Sequence, residues 1–278
     1  MTGYRIADTG YRIEQARRRE LYPVSAIRYF PMTSTFRTFS FLGALLLLSL
    51  LCFSAFYALD YHWSWRPVAG YWRLFVQGWL ATLAIASLAL PLSTLIGLAL
   101  AMARRTRILP IRDAARIWVE ITRGTPLLVQ IYLYFYVFGQ ALSLTNRYVV
   151  GPLILAAFAG AYISEIIRGG IESVGKSQLE SARAIGLTTA QTYRHVIFPQ
   201  AIRQILPALV GQFASLIKDS SLLSVIGINE FAMAAGEVNS FTYAAFESYL
   251  PVAFGYLLLT LPISLWSSRY GERLHFDT

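Results

Sequence analysis

The chain has 278 residues, of which 56% are hydrophobic and only 14% charged, with a net charge of +9. Soluble domains average about 25% charged residues, so this balance excludes an ordinary soluble protein and points to the membrane. The one cysteine, Cys52, excludes an internal disulfide and any multi-cysteine metal site, and His62, His195 and His275 share no ligand spacing.

Residues 1–38 are polar and basic, with Arg17, Arg18 and Arg19 in a row. Such a composition gives either a flexible cytoplasmic tail or a juxtamembrane segment that touches anionic lipid. Residues 39–59 are apolar and free of charge, and about 20 such residues cross a bilayer. The polar stretch before them is too long for a signal peptide, and no small-x-small cleavage site follows. Leu51, directly before Cys52, does not suit a lipoprotein cysteine. The segment reads as an uncleaved anchor helix. Residues 60–73 carry Trp63, Trp65, Tyr71 and Trp72, side chains that favour the membrane–water interface.

Residues 74–103 form a second apolar run, expected to kink or break near Pro91. A basic loop with Arg104, Arg105, Arg107 and Arg112 follows. The third run, 114–142, contains Glu120, Arg123, Gly124 and Pro126, and the fourth, 151–167, contains Glu165. After a long polar insert come the fifth run, 205–226, with Lys218 and Asp219, an acidic and aromatic stretch at 229–249, and the sixth run, 250–266. The expected fold class is an all-α integral membrane protein with six transmembrane helices. Six crossings place both termini on one side. That side holds nineteen Lys and Arg residues, against three on the other: Arg66, Arg73 and Arg147. Positive charge stays on the cytoplasmic side, so both termini and the polar insert are expected in the cytoplasm. The same asymmetry argues against nucleic acid as the purpose of the positive charge.

The insert, residues 169–207, contains Gly170-Ile-Glu-Ser-Val-Gly175-Lys176-Ser177, which fits the phosphate-binding pattern GxxxxGK[ST]. That pattern works between a buried strand and a helix. Here a membrane helix precedes it, so the match reads as chance, with Gly175 ending or turning a helix.

Glu180-Ser181-Ala182, then Gly186, then Pro199 resembles the EAA signature of bacterial ABC importer permeases, with mild departures at Ser181, Val196 and Phe198. VEITRGTPLLVQ at 119–130, AYISEIIRGGIESVGKSQ at 161–178, ARAIGLTTAQTYRHVIFPQAIRQILPAL at 182–209 and LIKDSSLLSVIG at 216–227 resemble the polar amino-acid uptake branch. With Gly78 and Thr82 the likeness covers roughly 72–273. Gly175 stands where that branch usually shows proline, which loosens the turn. The resemblance implies a type I permease with a five-helix core at 72–270, to which the helix at 39–59 is an added anchor. It implies a bacterial inner-membrane location and a second permease subunit, alike or related. It further implies two ATPase subunits, which use ATP and magnesium, and a periplasmic amino-acid-binding protein. No catalysis, cofactor or metal is expected of this chain itself.

The same resemblance implies a cytoplasmic coupling loop at 169–203, with Glu180, Ser181, Ala182, Gly186, Arg194 and Pro199 in the ATPase contact. A short amphipathic helix that offers one face to a groove suits such docking. Ala182 and Gly186, four apart, are expected on one helical face, where small side chains permit close approach. Glu180 is expected to cap the helix or meet a partner cation. Pro199 is expected to stop the next helix from extending backwards. The plain alternative is that these residues only stabilise the loop.

Charges within apolar runs cost ~2.5–3.5 kcal/mol each at a membrane centre. Arg123, Glu165, Lys218 and Asp219, with the adjoining Arg168 and Ser220, are therefore candidates for the translocation pathway, with the helix break Gly124-Thr125-Pro126 as a gate, hinge or packing kink. Glu120 with Arg123, and Glu165 with Arg168, have the spacing of helical pairs. Lys218 and Asp219 point apart on a regular helix. An amino-acid substrate needs an acceptor for its ammonium, for which Glu165 is the candidate, and a donor for its carboxylate, Lys218 or Arg123. The structural alternative is a set of ion pairs that holds helices together. Two rival functions are an ion-coupled secondary transporter, against which the loop motif speaks, and a membrane enzyme, for which no His or Cys constellation exists.

Overall fold

A computed structural model describes residues 34–58 and 61–275, with side chains for 39–58, 61–267 and 269. Among the described residues every regular element is helical. The chain divides into two units, residues 1–62 and 63–278.

The first unit is represented by α1, Ser34–Ala58. None of the residues in its apolar part, Phe39–Ala58, is buried, as suits a helix whose solvent is lipid. Of the basic tail expected at 1–38, residues 1–33 lie outside the described residues, and 34–38 are already helical.

The second unit is a helical bundle. Its helices are α2 (Trp65–Ala69), α3 (Trp72–Ala103), α4 (Leu109–Gly124) and α5 (Leu127–Tyr132, widened into π turns over Leu133–Gly139). Next come α6 (Arg147–Glu172), α7 (Lys176–Ala184), α8 (Thr189–Thr192) and α9 (Phe198–Asp219, extended by a 3-10 stretch Ser220–Ile226). The last two are α10 (Phe231–Thr242) and α11 (Ala245–His275).

Five helices are long and apolar enough to cross a bilayer: Phe39–Ala58, Trp72–Ala103, Arg147–Glu172, Thr189–Ile226 and Ala245–Ser267. The expected third run is divided. Its apolar part, Leu127–Gly139, rises only about 20 Å, short of a bilayer's hydrocarbon core on its own. The fifth span begins at Thr189 rather than at residue 205, so half of the polar insert is the foot of a membrane helix.

Of the kink or break expected at Pro91, the break does not occur: helix α3 continues through it. Its closest packing is against α6. A Cβ on Gly97 would lie 2.5 Å from Ile163 Cγ2 and 3.0 Å from the Gly160 carbonyl; one on Gly160 would lie 2.7 Å from Ile96 Cγ2. Each glycine is thus the hole for the other helix's isoleucine, the small-residue contact by which membrane helices approach. The main core lies above this crossing, where Ile85, Ala89, Leu155, Leu216, Leu223 and Ile228 bury almost completely.

The stretch at 229–249 hides α10, which packs on α3 and α11. Glu230, fully buried, caps it: the carboxylate accepts from Met233 N (2.7 Å) and Ala232 N (2.9 Å). The Tyr256 hydroxyl of α11 donates to the same carboxylate at 2.8 Å, and Phe231 N donates to Thr82 Oγ1 of α3 at 3.2 Å. A buried carboxylate is costly unless its lone pairs are filled; here three donors from two helices fill them.

Candidate functional site

The sequence-predicted residues fall into two places. The first is the end of the bundle where α3, α4 and α6 meet. Glu165, its side chain 14% exposed, is paired with three arginines. Arg168, one turn on in α6, donates Nη2 at 2.7 Å and Nε at 3.2 Å to Oε2. Arg104, which caps the C-terminus of α3, bonds Oε1. Arg123, in the last turn of α4, lies 3.5 Å from Oε2 and sits over the Tyr162 ring. Arg168 also bridges to Glu172. The Glu165–Arg168 pair has the expected spacing. Arg123 pairs across helices with Glu165 and, among the described residues, makes no ion pair with Glu120. Arg104, which the sequence presents only as loop charge, is the unforeseen partner, 61 positions from Glu165.

The break is next to this cluster. Thr125 is extended (φ −119°, ψ 144°), as a residue before proline tends to be, and Pro126 opens α5. Carbonyls freed by the break need donors. Gln130, 5% exposed, supplies them: its Nε2 reaches Thr122 O at 2.7 Å, Thr125 O at 3.1 Å and Thr125 Oγ1 at 2.7 Å. Gln130 closes the VEITRGTPLLVQ stretch but carries no charge to single it out; its own signal is an amide four residues past a proline break.

Lys218, Asp219 and Ser220 lie elsewhere, at the end of α9. Lys218 is exposed, Asp219 half-buried, and Ser220 buried with its hydroxyl on Ile217 O. Neither Lys218 nor Asp219 makes an ion pair within the described residues. Gly170 of α6 packs on Ala201 and Ile205, while Gly151 packs on Leu223 and Ile228. Antiparallel α6 and α9 therefore set Glu165 level with the middle of α9, and Lys218 roughly 15 Å further along at 1.5 Å per residue. In this conformation the two cannot hold the two ends of one α-amino acid, and the Glu165 carboxylate is already occupied by guanidinium groups. Of the two donors expected opposite Glu165, Arg123 lies beside it and Lys218 does not.

The second place is the polar insert. Gly170, first residue of the phosphate-loop pattern, is helical and packed on α9, so it cannot cradle a phosphate. Gly175 turns the chain into α7. Helix α7 ends in a Schellman motif: Leu187 N donates to Ala182 O at 3.0 Å and Gly186 N to Arg183 O at 3.0 Å. Gly186 has φ +78°, the left-handed region that glycine enters without strain. This corrects the expected common face. Ala182 is buried inside the turn, whereas Gly186 lies beyond the helix end, where a Cβ would meet no atom within 4 Å. Glu180 sits exposed in mid-helix and does not cap it. Thr188 and Gln191 form a capping box that starts α8. Pro199 falls in the first turn of α9, after π turns at Tyr193–Ile197 that keep helix continuous through it. Ser181, Arg183 and Arg194 are exposed.

Val174, Ile197 and Ala201, flanked by Leu179 and Tyr193, form a small separate core beneath α7. It ties α7 to the ends of α6 and α9. On the outer side a shallow groove is lined by Ser177, Ser181, Ile185, Leu187 and Val196, with Ile185 76% exposed.

The fold is thus a helical bundle with five helices able to cross a bilayer, a broken helix, an arginine–glutamate cluster and a short helix on its own small core. Residues 93–275 match the family described as binding-protein-dependent transport system inner membrane component, and the chain belongs to it. GlnM of Bacillus subtilis (strain 168), named a probable glutamine ABC transporter permease, is 35% identical over 201 residues, covering 72% of this chain and 93% of its own. GlnP of Escherichia coli (strain K12), a glutamine transport system permease, is 32% identical over 220 residues, covering 78% of this chain and 99% of its own. A solved chain from an amino acid ABC transporter with histidines matches with a TM-score of 0.71 at 37% identity, over 77% of this chain and all of that one (100%).

Proposed function

We propose that this chain is the permease subunit of an ATP-binding-cassette importer for polar or charged amino acids. It lies in the bacterial inner membrane with both termini in the cytoplasm. A second permease subunit, alike or related, completes the pathway, and a periplasmic binding protein delivers the substrate. Two ATPase subunits bind and hydrolyse ATP with magnesium. The segment at 169–203 is their docking site, and this chain carries no cofactor of its own.

The observation that carries this reading is the construction of α7. Its backbone is closed by its own turn, its inner face rests on a core shared with α6 and α9, and its outer rim exposes Ile185. A push on α7 is transmitted to two membrane-spanning helices rather than absorbed in a loop. Bundles respond to such pushes by rigid-body or hinge motion, and the break at Thr125-Pro126 supplies a hinge beside the Glu165 cluster. The family membership and the names of the relatives support the substrate class.

The test is reconstitution of the complete transporter in liposomes. Ile185→Asp is expected to abolish ATP-driven uptake of glutamine, or of whichever amino acid the wild type transports, while the melting temperature of the permease stays unchanged. Uptake that survives without the ATPase and follows a sodium or proton gradient overturns the reading.

A further inference from the structure

Between α3, α4 and α6, beyond the Glu165 cluster, lies a cavity of about 150 Å³ lined by Arg104, Arg105, Arg112, Arg116, Arg168 and Glu172, with apolar walls. A single water needs on the order of 10–15 Å³ on this measure, so there is room for a polyatomic group. The charges around it do not balance. Arg104 and Arg168 serve Glu165, and Arg168 also serves Glu172. Arg112 touches its neighbour Asp113 at 3.3 Å. Arg105 and Arg116 have no acidic side chain within 4 Å among the described residues. Five guanidinium groups thus face a concavity that contains one carboxylate, and like charges held together in a partly enclosed site repel unless an anion joins them.

We propose that this cavity is a binding site for a phosphate group, gripped by Arg105, Arg112 and Arg116. Guanidinium forks match phosphate oxygens with paired, charge-assisted hydrogen bonds. Three forks converge here, one before α4 and two a turn apart on it. The residues beside them in sequence, Met102, Ile108 and Leu109, are apolar and 66%, 57% and 56% exposed. A phospholipid headgroup in the cavity would leave its chains against these residues; free phosphate would use the arginines alone. The site is independent of α7 and of the translocation reading. Because Arg104 and Arg168 line the cavity and also hold Glu165, an occupied cavity would draw them away from the carboxylate and weaken the contact that ties α3 to α6.

The test uses the full chain, purified in detergent and stripped of lipid, titrated with short-chain phosphatidylglycerol and separately with inorganic phosphate, at ionic strength fixed with chloride. Wild type is expected to bind at least one of them saturably. Arg105→Gln combined with Arg116→Gln is expected to weaken that binding fivefold or more; both side chains are exposed and outside any ion pair, so folding is not at stake. Glu172→Gln, which removes the competing carboxylate, is expected to tighten it. Arg66→Gln, an exposed arginine in α2, is the control and is expected to bind as wild type. Binding of the lipid without competition by inorganic phosphate identifies a headgroup site; binding of inorganic phosphate identifies a soluble-phosphate site. No saturable binding of either, a loss below fivefold in the double variant, weaker binding in Glu172→Gln, or an equal loss in Arg66→Gln overturns the proposal.

Discussion

The Glu165 cluster and the α7 segment both carry residues that the sequence singles out, and they are finished in opposite ways. Around Glu165 the chain satisfies itself: one carboxylate takes three guanidinium groups from three helices. At α7 the chain satisfies only the backbone, through the Schellman turn and the capping box, and leaves Ile185, Glu180 and Arg194 facing outward. On the proposed function, the self-paired cluster would serve the bundle itself and the α7 surface a partner, and substitutions in the two regions are expected to divide accordingly.

The largest expected effect is at Glu165. Glu165→Gln leaves three guanidinium groups facing one another without their counter-charge. Removing one partner of a buried pair costs about 3–5 kcal/mol, and the low end, about 3 kcal/mol, applies here because Arg123 and Arg168 remain 37% and 41% exposed. The loss should show as a lowered melting temperature of the purified chain. Arg123→Gln should cost less, since Glu165 retains two arginines. A Glu165→Gln chain as stable as wild type would remove the cluster from the stability of the bundle.

Gln130→Ala comes next. It strands the buried carbonyl of Thr122, at about 1–3 kcal/mol for an unsatisfied group, and frees the partly buried carbonyl of Thr125. Besides a lower melting temperature, it should raise hydrogen exchange or proteolysis around residues 122–126, because the break loses its staple. Unchanged local protection would mean that the break is held by packing alone.

The smallest effect on stability, and the sharpest on function, is expected at Gly186. A β-branched side chain at φ +78° costs roughly 1–2 kcal/mol of backbone strain and reopens the turn that ends α7. Gly186→Val should therefore melt near wild type yet lose most ATP-driven uptake in proteoliposomes. Gly186→Asn, which tolerates the left-handed region, should recover it. If both variants transport normally, the turn is not what the proposed ATPase contact depends on.

Composition alone places the chain in the membrane, and the apolar runs locate the crossings, because a bilayer demands length and hydrophobicity whatever the neighbours are. The long polar motif at 180–199 is legible for a similar reason: it is contiguous, and its caps, turn glycine and first-turn proline act within a few residues of themselves. Even there, the common face expected for Ala182 and Gly186 fails, since the helix ends between them. Tertiary structure decides the rest. Pro91 and Pro126 are the same residue with opposite outcomes: one lies in a helix clamped by the Gly97–Gly160 crossing, the other follows Gly124-Thr125, where nothing meets the glycine. Arg104 and Arg123 find Glu165 only because that crossing and α4 bring distant positions to one depth. Helix α10 exists because Glu230 finds donors on its own first turn and on α11. Periodicity and composition encode how each segment meets its solvent; which charges meet each other depends on how closely and at what level the helices pack, and no single segment contains that information.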